Sequence, residues 1–325
     1  MGCGGVAVGG VMRLAVVFPG QGSQTVGMGC DVAAGYPAAA DLFERASAIL
    51  GYDLLELQRI GPEERLRETQ FSQPAIFTTN LALYAAAGEL DPIVTAGHSF
   101  AELCSLVIAR ALSFDDALRI VDARGKAMQA AAQRTRGGMS AVLGLQASQV
   151  RDVLRAMPAC GRVGLANFNS PTQIVISGEL DAVQAAGQAM LDAGAKRVVP
   201  LNVSGAWHSE LMESAVEPLR AAVDAASFAT PVLDVISNVD GRPYRDEETI
   251  KANLIRSVVD EVRWHDTAER ILTYEPELIA EFGASAVLSA LFKRMPSAPP
   301  ALAVSDRAGV ERLRTTIASR TEAGV

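Results

Sequence analysis

"GHSFAELCSLVIA", residues 97–109, follows directly on the apolar run "IVTA" (93–96) and passes at once into a helical period. A buried strand, a sharp turn at a serine and a helix, in that order, make the Gly-x-Ser-x-Gly elbow. In that elbow the serine stands at the carboxyl end of a strand, free of the sheet. The pattern here closes on Ala101 where glycine is usual. This stretch alone leaves two readings of Ser99 open. Either it is a nucleophile, served by helix-start N–H groups that can hold an oxyanion, or it caps the helix, with Glu102 completing a Ser-x-x-Glu box.

Working outward, "RLAVVFPG" (13–20) reads as another buried strand leading into a glycine-rich loop. Helices are expected over 36–58, 74–90 and 100–110, with a strand over 93–98. A further helix opens at Ser113, with Asp116 in capping-box spacing. From 139 the rhythm becomes strand, helix, strand, strand, helix, strand, the ferredoxin-like order, with "NSPT" turning between the middle strands. Beyond it come a helix over 209–226, a strand "PVLDVISNV" (231–239), helices around 246–273, a strand over 278–283 and a helix, then a last strand and helix. Buried strands alternating with helices predict a mostly parallel sheet covered on both faces. The expected fold class is therefore α/β: a hydrolase-like parallel-sheet core from 12–138 and 204–320, with a small ferredoxin-like subdomain, 139–203, inserted. Residues 1–11 read as a disordered extension.

Composition narrows the function. The 325 residues carry a net charge of −8 and are 49% apolar, enough for a large core and unsuited to non-specific binding of nucleic acid or anionic membranes. Four cysteines form no Cys-x-x-Cys pair, and no apolar run reaches the ~18 residues of a membrane span. A reduced, cytoplasmic protein without metal, membrane or nucleic-acid partner is expected. The loop "FPGQGSQTVGMG" (18–29) lacks both the Lys-Ser/Thr ending of a phosphate-binding loop and the spacing of a dinucleotide site.

The chain has three histidines, His98, His208 and His265. His98 precedes Ser99 on a strand, so alternation turns its side chain away from the serine's side. His265, in "VRWHDTAERIL", reads as a surface or helix-end residue. By elimination His208, in "VSGAWHSELM", is the available base. Arg124 falls on the apolar stripe Ala117, Val121, Met128. A core-facing arginine needs an anionic partner, either a structural carboxylate or the carboxylate of a substrate.

The motifs "FPGQGSQTVGMG", "TQFSQPAIFTTN", "GHSFAE", "DARGKAM", "ANFNSPTQIVISG" and "VSGAWHS" stand in the order found in malonyl-CoA:acyl-carrier-protein transacylases, which the chain resembles over roughly residues 13–295. The resemblance implies a free-standing acyltransferase of fatty-acid or polyketide synthesis, with the inserted ferredoxin-like unit. Ser99 would attack malonyl-CoA with His208 taking its proton, and the malonyl-serine would pass to the phosphopantetheine thiol of an acyl carrier protein. It further implies an oxyanion hole from the backbone N–H groups of Gln21 and Phe100, and Arg124 on the malonyl carboxylate. Gln73, Asn167 and Asn169 would line or support the site, and the second nitrogen of His208 would donate to a backbone carbonyl. The chain departs from the family at Phe100 and Ala101, at Trp207, where Phe is common, and ahead of "VRW", where Ser257 and Glu261 replace a glutamine and a proline. Ser257 is then the expected source of the histidine-orienting carbonyl. No permanently bound cofactor is implied, and family members are usually monomers. An acidic carrier would meet a local basic patch, with Lys196, Arg197, Lys293 and Arg294 as candidates. Three other readings remain: a hydrolase clearing carrier-bound acyl groups with the same Ser and His, a transferase for a substituted malonyl group, and a non-catalytic carrier-binding scaffold.

Overall fold

The computed structural model describes residues 12–158 and 161–323, so the expected extension over 1–11 lies outside the described residues. Eight strands are present among them: β1 (Leu14–Phe18), β2 (Pro92–Gly97), β3 (Gly137–Leu143), β4 (Val163–Ser170), β5 (Gln173–Glu179), β6 (Arg197–Pro200), β7 (Leu278–Phe282) and β8 (Ala301–Val304). They form two sheets, a parallel one in the order β2-β1-β7-β8 and an antiparallel one in the order β4-β5-β3-β6.

β1 shows why the first sheet is central. All five of its residues are buried. Alternation sends Leu14, Val16 and Phe18 into one core, with Phe77 and Leu81 of helix Thr69–Ala87 and Val121 and Met128 of helix Phe114–Arg134. It sends Ala15 and Val17 to the opposite face, against Trp264, Ile271 and Phe292. Burying each of the larger of these side chains contributes about 1.5–3 kcal/mol. The antiparallel sheet alternates with helices Ala147–Ala156 and Leu180–Asp192, and Val142, Ile174, Ile176 and Met190 close its separate core. Its strand order is that of a ferredoxin-like unit.

Several expected elements are divided. The stretch 36–58 forms two helices, Pro37–Leu50 and Leu54–Ile60, because Gly51 ends the first in the left-handed region (φ 78°) and Asp53 caps the second through the Glu56 N–H. Helix Thr69–Ala87 starts five residues before the expected 74, with Pro74 inside it. Ser113 caps Phe114–Arg134 through the Asp116 N–H. The stretch 209–226 is a 3₁₀ turn, Glu210–Ala215, followed by helix Val216–Asp224. The stretch 231–239 is not a continuous strand. Val235 bridges Thr95 at a single position, after which the chain folds back through Gly241 (φ 67°) to pair Ile236 with Pro243. The helices expected around 246–273 are Glu247–Arg256 and Trp264–Leu272, and the loop between them, 257–263, enters the site.

Candidate active site

β1 and β2 run side by side, and their carboxyl ends deliver the glycine-rich loop and Ser99 to one place, where open parallel sheets bind ligands. Ser99 has φ 56°, the left-handed region, which costs a residue with a side chain about 1–3 kcal/mol and is held by its surroundings. The close approach that makes this turn possible is at Gly97. A Cβ there would lie 1.9 Å from the Ala101 carbonyl oxygen, whereas the methyl of Ala101 itself fits fully buried. Alanine at 101 therefore leaves the elbow intact. Gly97→Ala is expected to destabilise the fold by about 3 kcal/mol or more, because backbone rather than a flexible side chain blocks the new atom; thermal denaturation measures it.

Ser99 is no helix cap. Its Oγ lies 2.8 Å from His208 Nε2 and 3.3 Å from Arg124 Nη2, and Glu102 turns away to Asn238 and Tyr244. His208, also at a positive φ of 57°, approaches the Asp260 carbonyl with Nδ1 at 3.1 Å. A carbonyl only accepts, so Nδ1 carries the hydrogen and Nε2 keeps its lone pair for the serine hydroxyl. This hydrogen bond comes from Asp260. The carbonyl of Ser257, the expected partner, also favours the protonated ring, less than that of Asp260 does. Burial, then the positive field of Arg124, then His98 push His208 down to about 3, so the imidazole is neutral at physiological pH.

Arg124 is 2% exposed and donates through Nη1 to Gln73 Oε1 at 2.8 Å, while its Nε has no partner. Its hydrogen-bond partners, Gln73 and Ser99, are both neutral. Burial lowers its pKa to about 9, opposed by the field of Glu102. Of the two partners the sequence allowed, no structural carboxylate pairs with Arg124 among the described residues, so the guanidinium faces the cavity as a cation without an ion-pair partner. Gln73 in turn donates to Thr69 Oγ1 at 2.7 Å, and Thr69 to Gln21 Oε1 at 3.2 Å, a chain that ties the guanidinium to the loop after β1.

The cavity over Ser99 measures about 280 Å³, and Gln21, His98, Arg124, Asn167, Asn169 and Trp207 are among its walls. Asn167 and Asn169 come from β4. Trp207 is 4% exposed and its Nε1–H has no partner. Phe100 is buried beneath the Arg124 guanidinium, and its backbone N–H lies in the first turn, where the helix supplies no acceptor. Arg294 lies on the rim and donates to Gln173. Lys196, Arg197 and Lys293 are exposed and are not among the wall residues.

His98 shares this cavity with Ser99, contrary to the alternation expected. β2 ends at Gly97, and the left-handed Ser99 breaks the period, so the His98 ring packs on Trp264 and meets Asn169 Oδ1 at 3.1 Å. His265 sits in the first turn of Trp264–Leu272, paired with Glu269 and away from the cavity. Sequence reasoning also missed Asn238 and Asp260, which reach the site from loops far along the chain and belong to none of the motifs that marked it. Among the described residues no group of three or more His, Cys, Asp or Glu could hold a metal, and no helix is long and apolar enough to cross a membrane. Cys30 and Cys104 are free thiols.

The acyl transferase domain family matches residues 15–308. The chain belongs to that family. This acyltransferase is 39% identical over 306 residues to the malonyl CoA-acyl carrier protein transacylase of Salmonella typhimurium, covering 93% of this chain and 99% of that one. The corresponding transacylase structure from Coxiella burnetii superposes with a TM-score of 0.90 at 34% identity, covering 94% and 98% of the two chains. A chain from the structure of a type II polyketide acyl-carrier protein in complex with its malonyl-transacylase matches with a TM-score of 0.89 at 37% identity, covering 94% of this chain and 99% of that one.

Proposed function

We propose that this acyltransferase moves a malonyl group from malonyl-CoA to the phosphopantetheine thiol of an acyl carrier protein through a malonyl-serine at Ser99. The observation that carries the reading is the buried Arg124, a cation with neutral partners standing 3.3 Å from the Ser99 hydroxyl. A carboxylated acyl group on that serine would supply the missing anion, held by the parallel hydrogen bonds a guanidinium favours.

His208 Nε2 takes the Ser99 proton as Oγ attacks the thioester carbonyl. The oxyanion is held by the N–H groups of Gln21 and Phe100. The imidazolium then returns the proton to the departing CoA sulfur. In the second half the carrier thiol gives its proton to His208, its sulfur attacks the ester, and Ser99 Oγ leaves with that proton. The Asp260 carbonyl holds the ring in the required tautomer throughout. Asn167 and Asn169 shape the wall, Gln73 braces Arg124, and Trp207 limits the space beside the acyl group. Arg294 at the rim, with Lys293 beside it, offers positive charge to an acidic carrier, and Lys196 and Arg197 are the remaining candidates for that surface.

Intact-mass measurement after incubation with malonyl-CoA tests the reading. A single malonyl adduct is expected on the peptide containing Ser99, stable in buffer and discharged when holo-carrier protein is added. Loss of the adduct at the same rate without carrier would make the protein a hydrolase, and absence of any adduct would make it a scaffold.

A further inference from the structure

Ser99 and His208 are brought together from segments 109 residues apart, each at a positive φ, and the carbonyl that orients His208 comes from a third segment. The serine turn and the loop that carries Asp260 keep this geometry only if something ties one to the other, and Asn238 does so. It is 3% exposed, and its Oδ1 accepts from the Ser99 N–H at 3.2 Å while its Nδ2 donates to the Gly97 carbonyl at 2.5 Å. Both sides of the elbow are thus gripped by one amide. Its backbone carbonyl accepts from the Arg263 N–H at 2.8 Å, at the end of the loop that presents Asp260 to His208.

The asparagine is in turn held by Glu102. That carboxylate, 4% exposed, accepts from the Asn238 backbone N–H at 2.7 Å, from its Nδ2 at 2.8 Å, and from the Tyr244 hydroxyl at 2.5 Å. The Ser-x-x-Glu spacing that suggested a helix cap serves instead to fix this brace.

We propose that Asn238, locked by Glu102, is the positioning residue that holds the nucleophile elbow and the histidine loop in one frame. With the Ser99 N–H engaged by Asn238, the N–H left to face an oxyanion at this turn is that of Phe100. The inference rests on the acyl-serine reading above, and small displacements of a reacting pair are expensive: a shift near 1 Å costs on the order of 10²-fold in rate.

Asn238→Asp keeps the shape and the acceptor for Ser99 but removes both Nδ2 donations and sets a second carboxyl against Glu102. Two reactions of Ser99 are measured in single turnover, malonylation by malonyl-CoA and phosphonylation by a small fluorophosphonate that needs neither carrier nor Arg124. Both are expected to slow by about 30–100-fold together, with KM for malonyl-CoA within about twofold, counted per folded molecule. Should the aspartate variant not fold, Asn238→Ser is read the same way. Tyr244→Phe, which loosens Glu102 from its far side, is expected to lower Tm while both rates stay within about threefold. Rates within threefold of the parent in the Asn238 variant overturn the proposal. So does an equal loss in Tyr244→Phe, which would make general loosening of the buried cluster the cause. A parent protein that forms no malonyl adduct but is phosphonylated at Ser99 would overturn the functional reading alone, and the phosphonylation rates would still judge Asn238.

Discussion

Ser99→Ala, His208→Ala and the double variant are expected to lose malonyl transfer by about the same factor, on the order of 10⁵–10⁶ in kcat. The 2.8 Å contact between Ser99 Oγ and His208 Nε2 makes them one unit. A serine without a base is a poor nucleophile at neutral pH, and a base without the serine has nothing to activate, so removing the second partner adds little to removing the first. The rate of malonyl transfer from malonyl-CoA to holo-carrier protein, compared across the three variants, measures this. Multiplicative losses would mean that the two residues act independently and would overturn the dyad. A residual rate above the solution reaction is expected in all three, because the Phe100 and Gln21 N–H groups and the cavity remain.

Arg124→Met separates binding from stability in opposite directions. The charge-paired carboxylate is lost, and removing one partner of a buried pair costs about 3–5 kcal/mol. The value of kcat/KM for malonyl-CoA should therefore fall by on the order of 10²–10³-fold, while acetyl-CoA, which has no carboxylate, changes by less than about tenfold. The free fold should gain, because Arg124 is a buried cation whose hydrogen-bond partners are neutral. Its replacement by an apolar side chain of similar length is expected to stabilise by about 1–4 kcal/mol, read as a rise in Tm. The pH profile should move as well. The Arg124 cation is one of the groups holding His208 down to about 3. Removing it makes the imidazolium less costly, so the His208 pKa rises toward its ordinary value. Because only the neutral ring can accept the serine proton, the acid limb of kcat/KM for acetyl-CoA should shift to higher pH. Equal losses on both substrates, with a lower Tm, would show Arg124 to be a packing residue.

The parallel core was legible because its strands are short apolar runs, buried on both faces as in β1. The ferredoxin-like unit was legible from the order of its periodicities. The division at Gly51 was not, since a helical period continues across a break that one left-handed residue or a cap imposes. "PVLDVISNV" has the composition of a strand, yet its backbone bonds go to Ala109, to Thr95 at one point, back onto the turn that follows it, and to Arg263. His98 was turned the wrong way because alternation assumes extended backbone, which ends at Gly97. Arg124 stood out for a physical reason open to inspection: a charge on an apolar stripe requires a partner.

By itself the sequence determined the sheet type, the inserted unit, and the residue types able to react, because periodicity and the scarcity of histidine are local and countable. The stretch around Ser99, taken alone, left that residue divided between cap and nucleophile, and the resemblance implied the nucleophile. Only the tertiary structure shows that Ser99 is no cap, by placing His208 and Arg124 on its hydroxyl and turning Glu102 to Asn238. It alone also moved the orienting hydrogen bond to Asp260 and showed that the glycine this elbow requires is Gly97, not position 101. These hydrogen bonds join residues 25 to 136 positions apart in the chain, and the distance between two such groups follows from packing, which no local pattern encodes.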